Sequence, residues 1–339
     1  MRSLASVIAV ALIACGAPPR ASSPSREPPA APFRFHVDFW ANLNQVLLHE
    51  ALVPRPGFAG PKSLGGQHVV RADALSAEET ARWQASLAYY DAHFTTRNLF
   101  DHFIESMPAL LGVGPWPSQR PAATSALDEE WRRSLVDAAP VYQAHFWTDD
   151  ERTDRAYVER MQPLVLAHAE WFEKRLVAVY GMPLPATPID VEITPVVPPY
   201  GGFTQGEPPY DGPNAALITL SSRDPSYAGD TGVEMLFHEV SHLIVGRVEK
   251  ALDEAAKRQG TKLPPRLWHD VIFYTAGHVA QERLGAAYIP FAERPSARLF
   301  SADDPRLIVL RRAWQPYLDG HTTMESAIDA IAAAPEFSR

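Results

Sequence analysis

The sequence predicts an α+β protein that is mainly helical: a helical region, then a small α/β region, then further helices. Apolar residues recur at three- and four-residue spacing over much of Phe33 to Tyr180, strand-like alternation appears at Ile189-Asp190-Val191-Glu192-Ile193, and helical spacing returns after Thr231. The 339 residues are 46% apolar and 21% charged, which suits a globular chain with a sizeable core. With 31 Lys and Arg against 40 Asp and Glu, the net charge of −9 leaves no basic surplus for a nucleic-acid backbone or an anionic lipid surface. The single cysteine excludes intramolecular disulfides, zinc ribbons and iron–sulfur clusters.

Residues 1–14 read as an export signal. Met1-Arg2-Ser3 is a short basic start, and the apolar run from Leu4 to Ala14 is too short to span a bilayer as a helix. The segment Leu12-Ile13-Ala14-Cys15 resembles the bacterial lipobox. That resemblance implies acylation of Cys15, cleavage before it, and an exported protein held at the bacterial cell envelope by its lipid alone. Gly16, where some lipoproteins carry Asp, implies outer-membrane routing. Residues 15–32 are dominated by Ala, Pro, Ser and Arg and form a tether, since such a composition buries too little apolar surface to fold.

The helical region is expected over 33–185. Its clearest helices are Phe39 to Leu48, Ala77 to Asn98 and Tyr157 to Tyr180, joined by Gly/Pro loops such as Gly112 to Pro117. His36, His49, His93, His102, His145 and His168 lack ligand spacing and read as structural or surface histidines. In the α/β region, 186–290, two strands are expected, near Ile189 to Ile193 and Ala215 to Leu220, with a loop at Pro198 to Pro213. A helix follows from a capping box at Thr231 and Glu234 to Gln259, with Gly260 as its stop. A second helix is expected from Pro264-Pro265 to Leu284, and two more, Pro305 to Tyr317 and Thr323 to Ala333, fill 291–339.

The first helix of this hairpin contains His238-Glu239-Val240-Ser241-His242. Residues four apart share a helix face, so two imidazoles can grip one ion while Glu239 flanks it. Roughly one random chain of this composition in forty would contain the pattern, but its place on a capped helix just after a strand favours chemistry over coincidence. Two neutral imidazoles suit Zn²⁺, which lowers the pKa of a water, and the carboxylate suits a general base. The pattern resembles the zincin metallopeptidases. Val245 and Val248 stand where metzincins continue with Gly and His, so the resemblance is to the gluzincin type, whose third ligand comes from a second helix. The stretch from Asn214 to His278 resembles an uncharacterised group of exported bacterial zincins, in which a glutamate commonly stands at the position of His278.

Three residues of the second helix are candidate third ligands: His278, Glu282 and His269. From residue 240 to Gln259 a continuous helix descends about 29 Å, and a return helix from Pro265 climbs only about 6 Å by His269, about 20 Å by His278 and about 26 Å by Glu282. The arithmetic favours His278, with Glu282 as its hydrogen-bonded support, and leaves His269 below the metal unless the first helix breaks early, for example at Gly246. Tyr274, one turn before His278, is a candidate oxyanion donor, with a core tyrosine as the plainer reading. The strand Ala215 to Leu220 is expected to border the cleft and pair with an extended peptide.

The function these features suggest is a zinc-dependent envelope hydrolase acting on a peptide or protein substrate. Two alternatives stand beside it: a metal-dependent hydrolase of a non-peptide envelope substrate, and a non-catalytic surface lipoprotein with a structural zinc. No G-x-S-x-G elbow, P-loop or Rossmann fingerprint is present to anchor a serine hydrolase or a nucleotide enzyme.

Overall fold

A computed structural model describes residues 32–52, 75–94, 129–185, 188–198, 201–206, 215–297 and 299–337 of the chain. The export signal, Cys15, nearly all of the tether, His102 and the Gly112 to Pro117 loop lie outside the described residues. The described part is mainly helical, with one small mixed sheet.

That sheet has four strands, β1 (Phe33–His36), β2 (Ile189–Thr194), β3 (Gly202–Gln205) and β4 (Leu217–Ser221), in the order β1-β2-β4-β3. β1 and β4 run parallel to β2, whereas β3 is antiparallel to β4. Alternation in β2 promised one wet face, yet Ile189, Val191 and Ile193 on one side and Glu192 and Thr194 on the other are all buried. Helices cover both faces, as parallel strands require. Two polar groups here find partners: Glu192 Oε1 accepts from the Asp38 amide at 2.8 Å, and the Ile193 carbonyl accepts from Asn42 Nδ2 at 3.1 Å.

Three expectations are corrected here. Phe33 opens a strand rather than a helix, and the Pro/Gly/Tyr-rich segment read as loop contains β3. Both strands are four residues long, so pairing partners far away in sequence decide their state. β4, expected at the cleft edge, is central and paired on both sides, with Val191 opposite Ile218 and Thr204 opposite Ile218 on the other flank. Among the described residues, β3 is the outer strand beside it.

Helices α1 (Phe39–Leu52), α2 (Ala77–His93) and α3 (Glu129–His145) pack around Trp83, Tyr90, Trp131 and Tyr142. Tyr90 donates to Asn44 Oδ1 at 2.6 Å and accepts from Trp131 Nε1 at 2.9 Å, so the buried polar atoms of these large rings have partners. Histidines of this region make structural contacts: His36 with Asp190, His93 with the Tyr89 carbonyl and His145 with Glu79. The long helix α4 (Trp147–Tyr180) starts ten residues before its clear periodicity and stops at Gly181, whose φ of 64° suits a residue without Cβ. Its row Tyr157, Met161, Val165, Ala169, Phe172 and Leu176 is buried, and Phe172 stacks on Phe237 at 4.3 Å.

The expected long helix is two helices, α5 (Gly229–His242) and α6 (Gly246–Gln259). At the break the Leu243 and Ile244 amides donate three residues back, to the Val240 and Ser241 carbonyls, a tighter turn that ends α5, and Leu243, Ile244 and Val245 are all buried in it. Gly246 is not in the left-handed region, so the break does not rest on a backbone that only glycine can adopt. The capping box is absent too. α5 begins at Gly229, before Thr231, and Glu234 instead accepts from Tyr288 Oη at 2.6 Å and the Phe291 amide at 3.0 Å. α6 stops at Gly260, as expected, and α7 (Leu267–Leu284) stops before Gly285. The C-terminal helices fall where the sequence places them: α8 (Pro305–Val309), a π-helical stretch Leu310–Trp314, α9 (Gln315–Leu318) and α10 (Met324–Ala332), the last capped by Thr323.

Candidate metal centre

His238 and His242 lie on α5 with their rings 5.2 Å apart. Because α5 ends at His242 and α7 begins at Leu267, the first turn of α7 stands opposite the last turn of α5 and not far below it. His269 therefore reaches the pair, its ring 5.2 Å from His238 and 5.0 Å from His242. Each of the three imidazoles offers a nitrogen, and these nitrogens lie within 4.8 Å of one another. The preference for His278 is thus corrected in favour of His269, through the early break that the helix arithmetic named as its own exception.

His278 is on the other side of α7. Nine residues separate it from His269, about 900° of rotation, so one faces away when the other faces the site. Its Nε2 lies 3.3 Å from Glu282 Oε1 and 3.3 Å from Asp319 Oδ1, a second group with converging ligand atoms. Arg175 already engages both oxygens of Glu282 at 2.8 Å, and that guanidinium would repel a cation. Glu282 lies beside His278, but His278 Nε2 makes no hydrogen bond, and both are away from the paired histidines of α5. Tyr274 shares His278's face: its hydroxyl donates to Gln315 Oε1 at 2.6 Å, and burial pushes its pKa up, so it is a core tyrosine and not an oxyanion donor at this centre.

The residues present suit a metal ion. Burial pushes His238 well below the ordinary imidazole range, with His242 and His269 adding to the effect. Burial, then the Arg266 charge, lowers His242 to about 4, and burial with the charges of His242 and Arg266 lowers His269 to about 2. All three are neutral at pH 7, the form that coordinates. His238 Nδ1 is buried with no hydrogen-bond partner, a costly arrangement unless something else meets the ring. Phe273 packs 4.0 Å from the His238 ring and Trp268 lies 5.6 Å from the His242 ring, giving the centre apolar walls.

Glu239 is buried beside this trio, its Oε2 4.0 Å from His242 Nε2. On the other side Thr204 of β3 places Oγ1 2.8 Å from Glu239 Oε2 and 2.8 Å from the Glu239 carbonyl. Sequence reasoning missed Thr204, whose only signal is a four-residue segment inside a Pro/Gly-rich stretch. It missed Arg266 as well, since the two prolines before it suggested that the helix had already begun. Comparison with protein-family models, curated proteins and solved structures finds no match for this chain.

Proposed function

We propose that this protein is a metal-dependent hydrolase of zincin type, with a divalent ion, zinc by its donor set, held by His238, His242 and His269. The observation that carries the reading is three neutral, converging imidazoles with one buried carboxylate, Glu239, beside them. Three protein ligands, with no fourth in the group among the described residues, leave a coordination position open, as a catalytic site requires and a closed structural site does not. The ion, when bound, supplies an acidified water and polarises a carbonyl. Glu239 takes the proton of the attacking water and returns it to the leaving group, and Thr204 holds the carboxylate in the orientation this requires. An imidazole as third ligand departs from the carboxylate that the gluzincin resemblance implied.

Peptide is the favoured substrate because β3, a sheet edge among the described residues, carries Thr204 to Glu239 and offers main-chain groups to an extended chain. Lipid anchoring through Cys15 would hold this activity at the cell envelope. The test is a peptide-library digest by the zinc-loaded protein and by E239Q. Cleavage by the former alone supports the reading, and a fully loaded wild type that cleaves nothing opposes it.

A further inference from the structure

His269 stands in the first turn of α7, the part of a helix that holds itself least well. The first amides of any helix lack a partner within it, and the residue before α7 supplies no side-chain cap. Within the turn, the His269 amide donates three residues back to the Arg266 carbonyl at 2.8 Å. Burial of Leu267 and Val271 holds the turn against the core. Apolar contact is non-directional, however, and does not set the rotation and height of a helix as closely as three converging ligands need.

An oriented grip comes from the next residue. Asp270 Oδ1 accepts from Arg306 Nη1 at 3.0 Å. Arg306 is itself held in place: Nε and Nη2 donate to the two oxygens of Asp304 at 3.1 and 2.7 Å, and Nη2 also donates to the Leu299 carbonyl at 2.9 Å. Its guanidinium carbon lies 5.2 Å from the centre of the Phe300 ring. Asp304 also caps α8, accepting from the Arg306 amide at 2.8 Å. The guanidinium is thus built into the start of α8 and reaches from there to the first turn of α7. A second ion pair of α7, Glu282 with Arg175, lies about 18 Å further along the helix, away from the histidines.

We infer that Arg306 is a positioning residue of the metal centre: through Asp270 it holds the first turn of α7 where His269 meets His238 and His242. This rests on the metal-centre reading above, and it makes the C-terminal region part of the centre without giving it a ligand. The sign of the effect separates positioning from plain electrostatics. Removing the charge of Arg306 reduces the repulsion felt by a divalent ion, so electrostatics alone predicts tighter binding without it. Positioning predicts weaker binding, because binding must then also order His269.

The test measures zinc affinity, by competition with a chelator, beside thermal stability in R306A, D270A, D270N, the D270A/R306A double variant and R175A. R306A and D270A should each weaken zinc binding by about tenfold or more, and the double variant should lose little beyond either, since both remove one contact. D270N lacks the same charge as D270A but keeps an oxygen for Nη1, so it should stay within a few-fold of wild type. R175A should lower the melting temperature and leave zinc affinity unchanged. Zinc held by R306A as tightly as by wild type, D270N as weak as D270A, additive losses in the double variant, or an equal loss in R175A overturns the inference. If R306A does not fold, D270A against D270N decides.

If wild type binds no zinc, the metal reading fails separately. Hydrogen exchange of the metal-free protein then reads the same contact. R306A should speed exchange of the His269 amide by about tenfold or more and change amides near Glu282 far less, whereas an unchanged His269 amide, or a uniform change along α7, overturns the role of Arg306.

Discussion

Thr204 and Glu239, 35 residues apart in sequence, meet where a short outer strand crosses the end of the histidine-bearing helix: the threonine hydroxyl lies 2.8 Å from both the carbonyl and a carboxylate oxygen of Glu239. One proton serves two acceptors. The contact ties the orientation of a buried carboxylate to the position of β3. T204V should therefore lower kcat about tenfold while leaving bound metal unchanged, and T204S should restore most of it. Full activity in T204V, measured beside metal content, would remove the positioning role.

Glu239 itself should be separable from the ligands. E239Q is expected to retain zinc and to lose hydrolysis by about 10²- to 10⁴-fold. Measured turnover near that of wild type would exclude it as the general base.

Metal affinity should distinguish the two faces of α7. H269A leaves two imidazoles and should weaken zinc binding by at least about 100-fold, whereas H278A should stay within a few-fold of wild type. Titration against a competing chelator reads both, and the opposite ranking would return the third-ligand role to His278.

Proton release should be small. Three ordinary imidazoles with pKa about 6.5 would together release about 2.7 protons on binding metal at pH 5.5. Here the folded-state pKa values are depressed, to about 4 for His242, about 2 for His269 and lower than usual for His238. The ligands are therefore already neutral at pH 5.5 and have almost no protons to lose. Affinity should stay flat down to about pH 5 and fall below it as His242 takes up a proton. Calorimetry at pH 5.5 in buffers of different ionisation enthalpy measures the release, and a value near two or three would contradict the burial argument.

Two glycines of the same hairpin should behave oppositely. A Cβ at Gly232 would come 2.3 Å from the Tyr227 carbonyl oxygen, which is backbone and cannot swing aside, so G232A should cost about 1–3 kcal/mol. Nothing lies within 4 Å of a Cβ at Gly246, so G246A should match or slightly exceed wild-type stability with metal binding intact. Loss of metal in G246A would mean that the break after His242 needs glycine at this position after all. Denaturant unfolding of both variants makes the comparison.

The sequence by itself determined what depends on neighbours a few residues away. Periodicity located α1, α2, the later part of α4, α7 and α10, the stops at Gly260 and Gly285 followed from glycine at a helix end, and i to i+4 spacing put His238 and His242 on one face with Glu239 beside them. Tertiary structure decided what depends on distant partners. β1 and β3 are strands because β2 and β4 offer them hydrogen bonds, and β4 is central for the same reason. The turn after His242, where Leu243 and Ile244 bond back to Val240 and Ser241, has no glycine or proline at its start to announce it, and its three apolar residues pack into the core. That turn lifts the start of α7 to the level of the histidines and selects His269 over His278. Local rules fix the faces of helices, but the height at which two helices meet is fixed by where the core ends one of them.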